Sequence, residues 1–165
     1  MHDPIYAKKT VIIQKQGVED CPLTIEFAIQ YTESDSVFQL SFANGVETLQ
    51  GGTHLETLKS TVSSFVEARK RDFGQTSEWS SDVVLGGFVG AIRIEYPRVA
   101  YGGATRKEVA NTEIEDGIFN VVRDEMNSFA NEKPEGMQNI LDHCLRLQQA
   151  NDARRYGDFP TLPEN

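Results

Sequence analysis

The stretch Phe42-Ala43-Asn44-Gly45-Val46-Glu47-Thr48-Leu49-Gln50-Gly51-Gly52-Thr53-His54-Leu55-Glu56-Thr57-Leu58 decides the fold. Within it the spacing of apolar residues changes from that of a strand to that of a helix. Upstream, Phe38, Leu40 and Phe42 alternate with Gln39 and Ser41. Downstream, Leu55, Leu58, Val62, Phe65 and Val66 share one helical stripe, with Glu56, Lys59, Ser63 and Glu67 off it. Gly51-Gly52 permit positive φ and close backbone approach, and Thr53 is placed to act as the N-cap of the helix. Amides at a helix start can bind an anion. A tight strand-to-helix connection selects the same residues for its own reasons, so the turn reads as structural first and as a phosphate cradle second.

On the N-terminal side, Leu23, Ile25, Phe27, Ile29 and Tyr31 fall at every second position, which marks a strand with one buried face. Val11-Ile12-Ile13 forms another strand candidate. The polar linker 32–36 suggests that the Leu23–Tyr31 strand and the Phe38–Phe42 strand pair as an antiparallel hairpin. On the C-terminal side, the first helix should end near Phe73-Gly74. A turn at Asp82-Val83-Val84-Leu85-Gly86-Gly87 then leads to a fourth strand through Phe88, Ile92, Ile94 and Tyr96, closed by Pro97.

Residues 99–107 read as a loop carrying Gly102-Gly103 and Thr105-Arg106-Lys107. A helix follows, capped by Asn111 or Thr112, with Ile118, Val121, Val122 and Phe129 along one side. Pro134 opens a last helix with Met137, Ile140, Leu141, Cys144 and Leu145 as its stripe. The order β-β-β-α-β-α-α specifies an α+β domain over residues 1–155, a four-stranded sheet covered by helices on one face, and an unstructured tail at 156–165.

Composition sets outer limits. The chain has 165 residues, 39% of them hydrophobic, which suits a single domain with one core. A formal net charge of −9 opposes tight, direct binding to a phosphate backbone. The cluster Arg69-Lys70-Arg71 falls at a helix end, where cations complement the helix dipole. The two cysteines and three histidines show no metal-ligand spacing. No stretch approaches the ~20 apolar residues of a membrane span. Together with the absence of a signal-peptide core, this leads us to expect a cytoplasmic setting.

Beyond these patterns, Leu40-Ser41-Phe42-Ala43-Asn44 followed by Gln50-Gly51-Gly52-Thr53-His54-Leu55 resembles the signature of the second, transducer domain of gyrase B, of its topoisomerase IV counterpart and of related type IIA topoisomerases. The family reads Asn-Asn-Ile-X-Thr-X-X-Gly-Gly-Thr-His there. The resemblance extends to Ile5-Tyr6, to Ala28-Ile29-Gln30-Tyr31, where the family often has Val-Ala-Leu-Gln-Tyr, to Asp82–Pro97, and to Ala104–Ile114, where the family has a Gln-Thr-Lys loop and a helix. These matches keep their order over residues 5–155.

The resemblance implies a ribosomal-protein-type domain-two-like fold with a left-handed βαβ crossover, the hand that general rules disfavour. It also implies a role in relaying ATP binding and hydrolysis, in a GHKL ATPase domain, to movement of the DNA gates. Its partners would be that ATPase domain and a gyrase A-type protein, in a dimer within a larger assembly. DNA would be engaged only indirectly, and Mg2+ only through the ATPase domain. The family's loop lysine touches the terminal phosphate of ATP, which assigns nucleotide contact here to Thr105, Arg106 and Lys107.

The chain departs from the family pattern in three places. Ala104 replaces the glutamine and Arg106 the lysine; a guanidinium can bind phosphate bidentately but is no geometric copy of an ammonium. In the last helix, Glu135, Asp142 and Asp152 balance Arg146, Arg154 and Arg155, so electrostatic guidance of DNA is not expected from it. The sequence also carries neither a GHKL ATPase motif nor a Glu-Gly-Asp-Ser metal-binding domain, and no catalysis is expected of it alone. A stand-alone gyrase-B-like binding module or inactive remnant is the alternative. An independent enzyme built on His54, or on Asp82 with Glu113, is the weakest reading, because no nucleophile, base and orienting group come together.

Overall fold

The computed structural model describes residues 4–157. The chain opens with a long hairpin. Strand β1 (Ile5–Lys15) pairs antiparallel with β2 (Val18–Tyr31) through a turn at Gln16-Gly17. Both strands are longer than the apolar runs that announced them. The added residues at the turn end, 14–20, include a single apolar side chain, Val18, so alternation could not report them.

Strand β3 (Phe38–Ala43) turns at Asn44-Gly45 into the two-residue β4 (Val46–Glu47). Asn44 and Gly45 have φ of 48° and 79°, the paired positive values of a type I′ hairpin turn. The expected four strands are therefore five. Two residues are too few to show a period, which hides β4, although Asn-Gly is itself a hairpin signal.

The helix α1 (Thr53–Lys70) continues into a 3₁₀ turn at Arg71–Phe73, and Gly74 ends it in the left-handed conformation. Where a turn was expected, Ser81–Val84 form a single helical turn, α2. Strand β5 (Phe88–Glu95) follows, then α3 (Glu115–Glu132) and α4 (Pro134–Gly157). The expected domain boundary after residue 155 falls within α4. The rest of the expected tail, residues 158–165, lies outside the described residues.

The sheet order is β1-β2-β5-β3-β4. The expected β2–β3 hairpin does not form: β5 lies between them, antiparallel to β2 and parallel to β3. β5 presents Phe88, Ile92 and Ile94 as a buried row, and this strand is shielded best with a neighbour on each side. The segment β3–α1–β5 is thus a parallel crossover.

Register shows one face of the sheet to be the core. Ile25 faces Ile94, Phe27 faces Ile92, and Tyr31 faces Phe88, all buried. α1 packs on β5 and α3 on β1, and α4 closes the end against α2 and α3. The opposite face carries Tyr6, Ala28, Ala91 and Leu40, with Tyr6 60% exposed.

Two side chains pin the periphery. Trp79 is buried with Lys70 Nζ 5.2 Å from its ring centroid, and Lys70 is itself buried, paired with Glu67 and donating to the Ser77 carbonyl. The central cation of the Arg69-Lys70-Arg71 cluster thus closes the helix end from inside. His143 is buried, its Nε2 3.1 Å from the Gly86 carbonyl. Among the described residues, no helix is long and apolar enough to cross a membrane.

Candidate functional site

The Gly51-Gly52-Thr53-His54 turn and the Thr105-Arg106-Lys107 loop are distant in sequence, and they meet in space. Gln50 N–H donates to the Lys107 carbonyl at 2.8 Å, Val109 N–H to the Gly51 carbonyl at 3.1 Å, and Thr53 N–H to the Val109 carbonyl at 2.9 Å. The Thr53 hydroxyl donates to the same carbonyl at 3.2 Å. Gly52 and Val109 form a parallel bridge, and Val109 pairs antiparallel with Tyr101 on its other side. Val109 is buried.

This contact explains the double glycine. Gly51 and Gly52 have φ of 70° and 112°, values that L side chains rarely adopt. A Cβ on Gly52 would overlap the backbone of Val109. The helix cap is Gly52, with no side-chain cap hydrogen bond, so the expected capping by Thr53 is corrected. Thr53 is the first helical residue, and both its donors face Val109. With its amide engaged there, the turn is no open anion cradle.

Beneath the turn lies a buried polar chain. His54 Nε2 is 3.2 Å from Thr48 Oγ1, Thr48 Oγ1 is 2.6 Å from Ser41 Oγ, and the Ser41 hydroxyl lies 3.0 Å from the Thr48 carbonyl. All its bonds are satisfied in one direction: His54 Nε2–H donates to Thr48, the Thr48 hydroxyl to Ser41, and the Ser41 hydroxyl to the Thr48 carbonyl. His54 Nδ1 is then an unprotonated acceptor, and it has no partner. Burial lowers the imidazole from its ordinary 6.5 to about 4. His54 has no exposed surface, so it serves as a neutral tie between β3, Thr48 just beyond β4, and α1 rather than as a catalytic base.

The loop itself is held at both flanks and exposed at its tip. Gly102 N–H donates to the Glu108 carbonyl at 3.0 Å, and Ala110 N–H to the Ala100 carbonyl at 2.8 Å. Asn111, expected to cap α3, is corrected to a loop tie: its Oδ1 accepts from Ala100 N–H, and its Nδ2 donates to Arg98 O and Glu113 Oε1. The α3 cap is Ile114, not Thr112. Glu113 also accepts from the Tyr96 hydroxyl, so it is no free partner for an acid–base pair with Asp82.

Thr105, Arg106 and Lys107 are all exposed. Arg106 has φ of 54°, and its guanidinium lies 5.8 Å from the Tyr101 ring centroid. Among the described residues neither Arg106 nor Lys107 has a carboxylate partner. Two cations without counter-ions, on a tip whose base is hydrogen-bonded on both sides, suit an anion brought by another body. Sequence reasoning missed Gly52, Val109 and Tyr101 as supports of this loop. The glycine pair was the available signal, and it did not name its partner.

A one-sided α+β sheet with a parallel β3–α1–β5 crossover thus carries this turn-to-loop contact at one end of the crossover. The sequence profile of DNA gyrase B matches residues 1–158, and the chain belongs to that family. It is 28% identical to the DNA gyrase B protein of Thermotoga maritima over 158 residues, covering 94% of this chain and 25% of that protein. It is 23% identical to the Clostridium acetobutylicum gyrase B over 157 residues, covering 93% and 23%. The chain thus spans about a quarter of the length of these relatives.

Among solved structures it resembles the 43K ATPase domain of Thermus thermophilus gyrase B, with a TM-score of 0.75 and 23% identity over 94% of this chain and 42% of that one. The topoisomerase IV ATP-binding domain of Francisella tularensis gives a TM-score of 0.70 and 17% identity over 86% and 39%. These two likenesses speak to the fold.

Proposed function

We propose that this chain is the transducer domain of a gyrase-B-type protein and relays nucleotide state from a GHKL ATPase domain to the DNA gate. The observation that carries this reading is the Arg106–Lys107 tip, exposed, without counter-ions among the described residues and braced against the start of α1. Arg106 and Lys107 would face the terminal phosphate of ATP held in the ATPase domain. That nucleotide, with its Mg2+, supplies the phosphate charge and the scissile bond.

This chain's own part is positional. The braced loop offers a cation only when the two domains are correctly oriented, so charge complementarity favours one interdomain arrangement over others. Arg106 keeps its fork against Tyr101 until phosphate oxygens compete for its N–H groups. Thr105 flanks the cation and would offer its hydroxyl to the same phosphate. The left-handed sense of the β3–α1–β5 crossover, assembly with a gyrase A-type protein, an indirect relation to DNA and a cytoplasmic location all belong to the same reading.

The test is to mix the full chain with a gyrase-type ATPase domain and measure ATP turnover, with Arg106→Ala as control. Stimulation that falls on the order of tenfold or more in the variant supports the reading, a floor below the roughly 10²–10³-fold loss seen when one charge-stabilising donor is removed from a reacting site. Equal turnover with and without either form overturns it and favours a stand-alone binding module.

A further inference from the structure

The tip that carries Arg106 is not supported by its own loop alone. Its C-terminal flank is held at Val109, whose N–H donates to Gly51 and whose carbonyl accepts from both the amide and the hydroxyl of Thr53. Lys107 adds a carbonyl bond from Gln50 N–H. By contrast, Arg106 N–H reaches only Gly103 O, at 3.4 Å, within the loop. Beside the loop's own Gly102–Glu108 and Ala110–Ala100 bonds, these attachments run to the turn that begins α1, across a sequence separation of 56 residues from Thr53 to Val109.

The turn is anchored from below. His54 ties α1 to Thr48 and Ser41, and Asn44 fixes the β3–β4 turn by accepting from Tyr96 N–H and donating to Tyr96 O, each at 2.9 Å. Parallel bridging at Gly52 and Val109 leaves no room for a side chain between the two backbones. A displacement of the loop at Val109 thus strains the first turn of α1 directly. α3 begins beyond a separate tie at Asn111.

We propose that Gly52 and Thr53 are positioning residues for Arg106, and that the Gly51–Thr53 clamp on Val109 carries loop displacement into α1. The inference rests on the reading of Arg106 as the phosphate-facing cation and adds the element that receives its movement. Neither residue touches the nucleotide. Thr53 contributes through the Val109 carbonyl, and Gly52 through the absence of a Cβ.

The test uses the full chain mixed with a gyrase-type ATPase domain, with Thr53→Val, Thr53→Ser, Gly52→Ala and Arg106→Ala compared after thermal melts confirm folding. Thr53→Val retains bulk and loses the hydroxyl donor, whereas Thr53→Ser retains it. The expected result is kcat for ATP lowered on the order of tenfold by Thr53→Val and by Gly52→Ala, with KM nearly unchanged, as for misplacement of a group that acts in the transition state. Thr53→Ser should restore kcat.

Amide exchange at Val109, measured on the chain alone, gives a readout independent of turnover: it should speed up at least about tenfold in Gly52→Ala. If Arg106→Ala abolishes stimulation while folded Thr53→Val and Gly52→Ala retain it, the clamp has no positioning role. Unchanged exchange at Val109 also overturns the clamp, whatever the turnover. If Arg106→Ala itself has no effect, the transducer reading fails, and the proposed route into α1 fails with it.

Discussion

Acidification should destabilise this chain through His54, and the size of the effect can be worked out from its surroundings. The imidazole has no exposed surface, its Nε2 is bonded to Thr48 Oγ1, and its Nδ1 faces no partner. Protonation would place a second N–H and a full charge where neither is accommodated, which is why burial lowers the group from 6.5 to about 4. The unfolded chain takes up this proton near the ordinary value, whereas the folded chain resists until about 4. Between those values the unfolded state binds more protons, so the stabilising contribution is complete above 6.5 and is lost as pH falls towards 4.

From about pH 7 to about pH 5, linkage gives a loss of about 2 kcal/mol from this one group. The assay is urea unfolding of the chain and of His54→Gln at both pH values, since glutamine retains an N–H towards Thr48 but does not titrate. The variant should lose about 2 kcal/mol less on acidification. Equal losses, or an imidazole signal of folded His54 that titrates near 6.5 by NMR, would refute the reasoning.

Asn44→Ala should cost about 2–3 kcal/mol in urea unfolding, because it removes two hydrogen bonds to the Tyr96 backbone and places alanine at a φ of 48°; a loss below about 0.5 kcal/mol would show the turn to be held by other contacts. Cys144 is fully buried and its thiol is pushed up to about 12, while Cys21 is also buried and free, so a thiol reagent at neutral pH should label neither until the chain unfolds. Labelling of native protein as fast as of denatured protein would contradict the packing.

The strand-to-helix change of period across residues 42–58 was legible because burial of one face leaves a period in the chain, and that period is local. The apolar stripes of α1, α3 and α4 were legible for the same reason. The structural reading of the turn from Gly51 to His54 was legible from its place between a strand and a helix, though its partners were not. Strand order was not legible. Alternation in β2 and β3 states which side chains face inward, but it does not say that β5 will lie between them, since neighbours are chosen by the total apolar area covered. The Asn44-Gly45 signal for β4 was in plain view, and the shortness of β4 hid its consequence.

By itself the sequence determined the α+β class, the apolar faces, the hinge at Gly51-Gly52 and the family to which the chain belongs. These follow from periodicity, backbone freedom and motif order, all of which are written in neighbouring residues. Tertiary structure alone decided that the hinge and the Arg106 loop are one assembly. Their union depends on two backbones approaching closely enough to exclude a Cβ, and on hydrogen bonds between residues 56 apart. Backbone amides are common to nearly every residue, so such pairing leaves no mark in the sequence beyond the glycine that permits it.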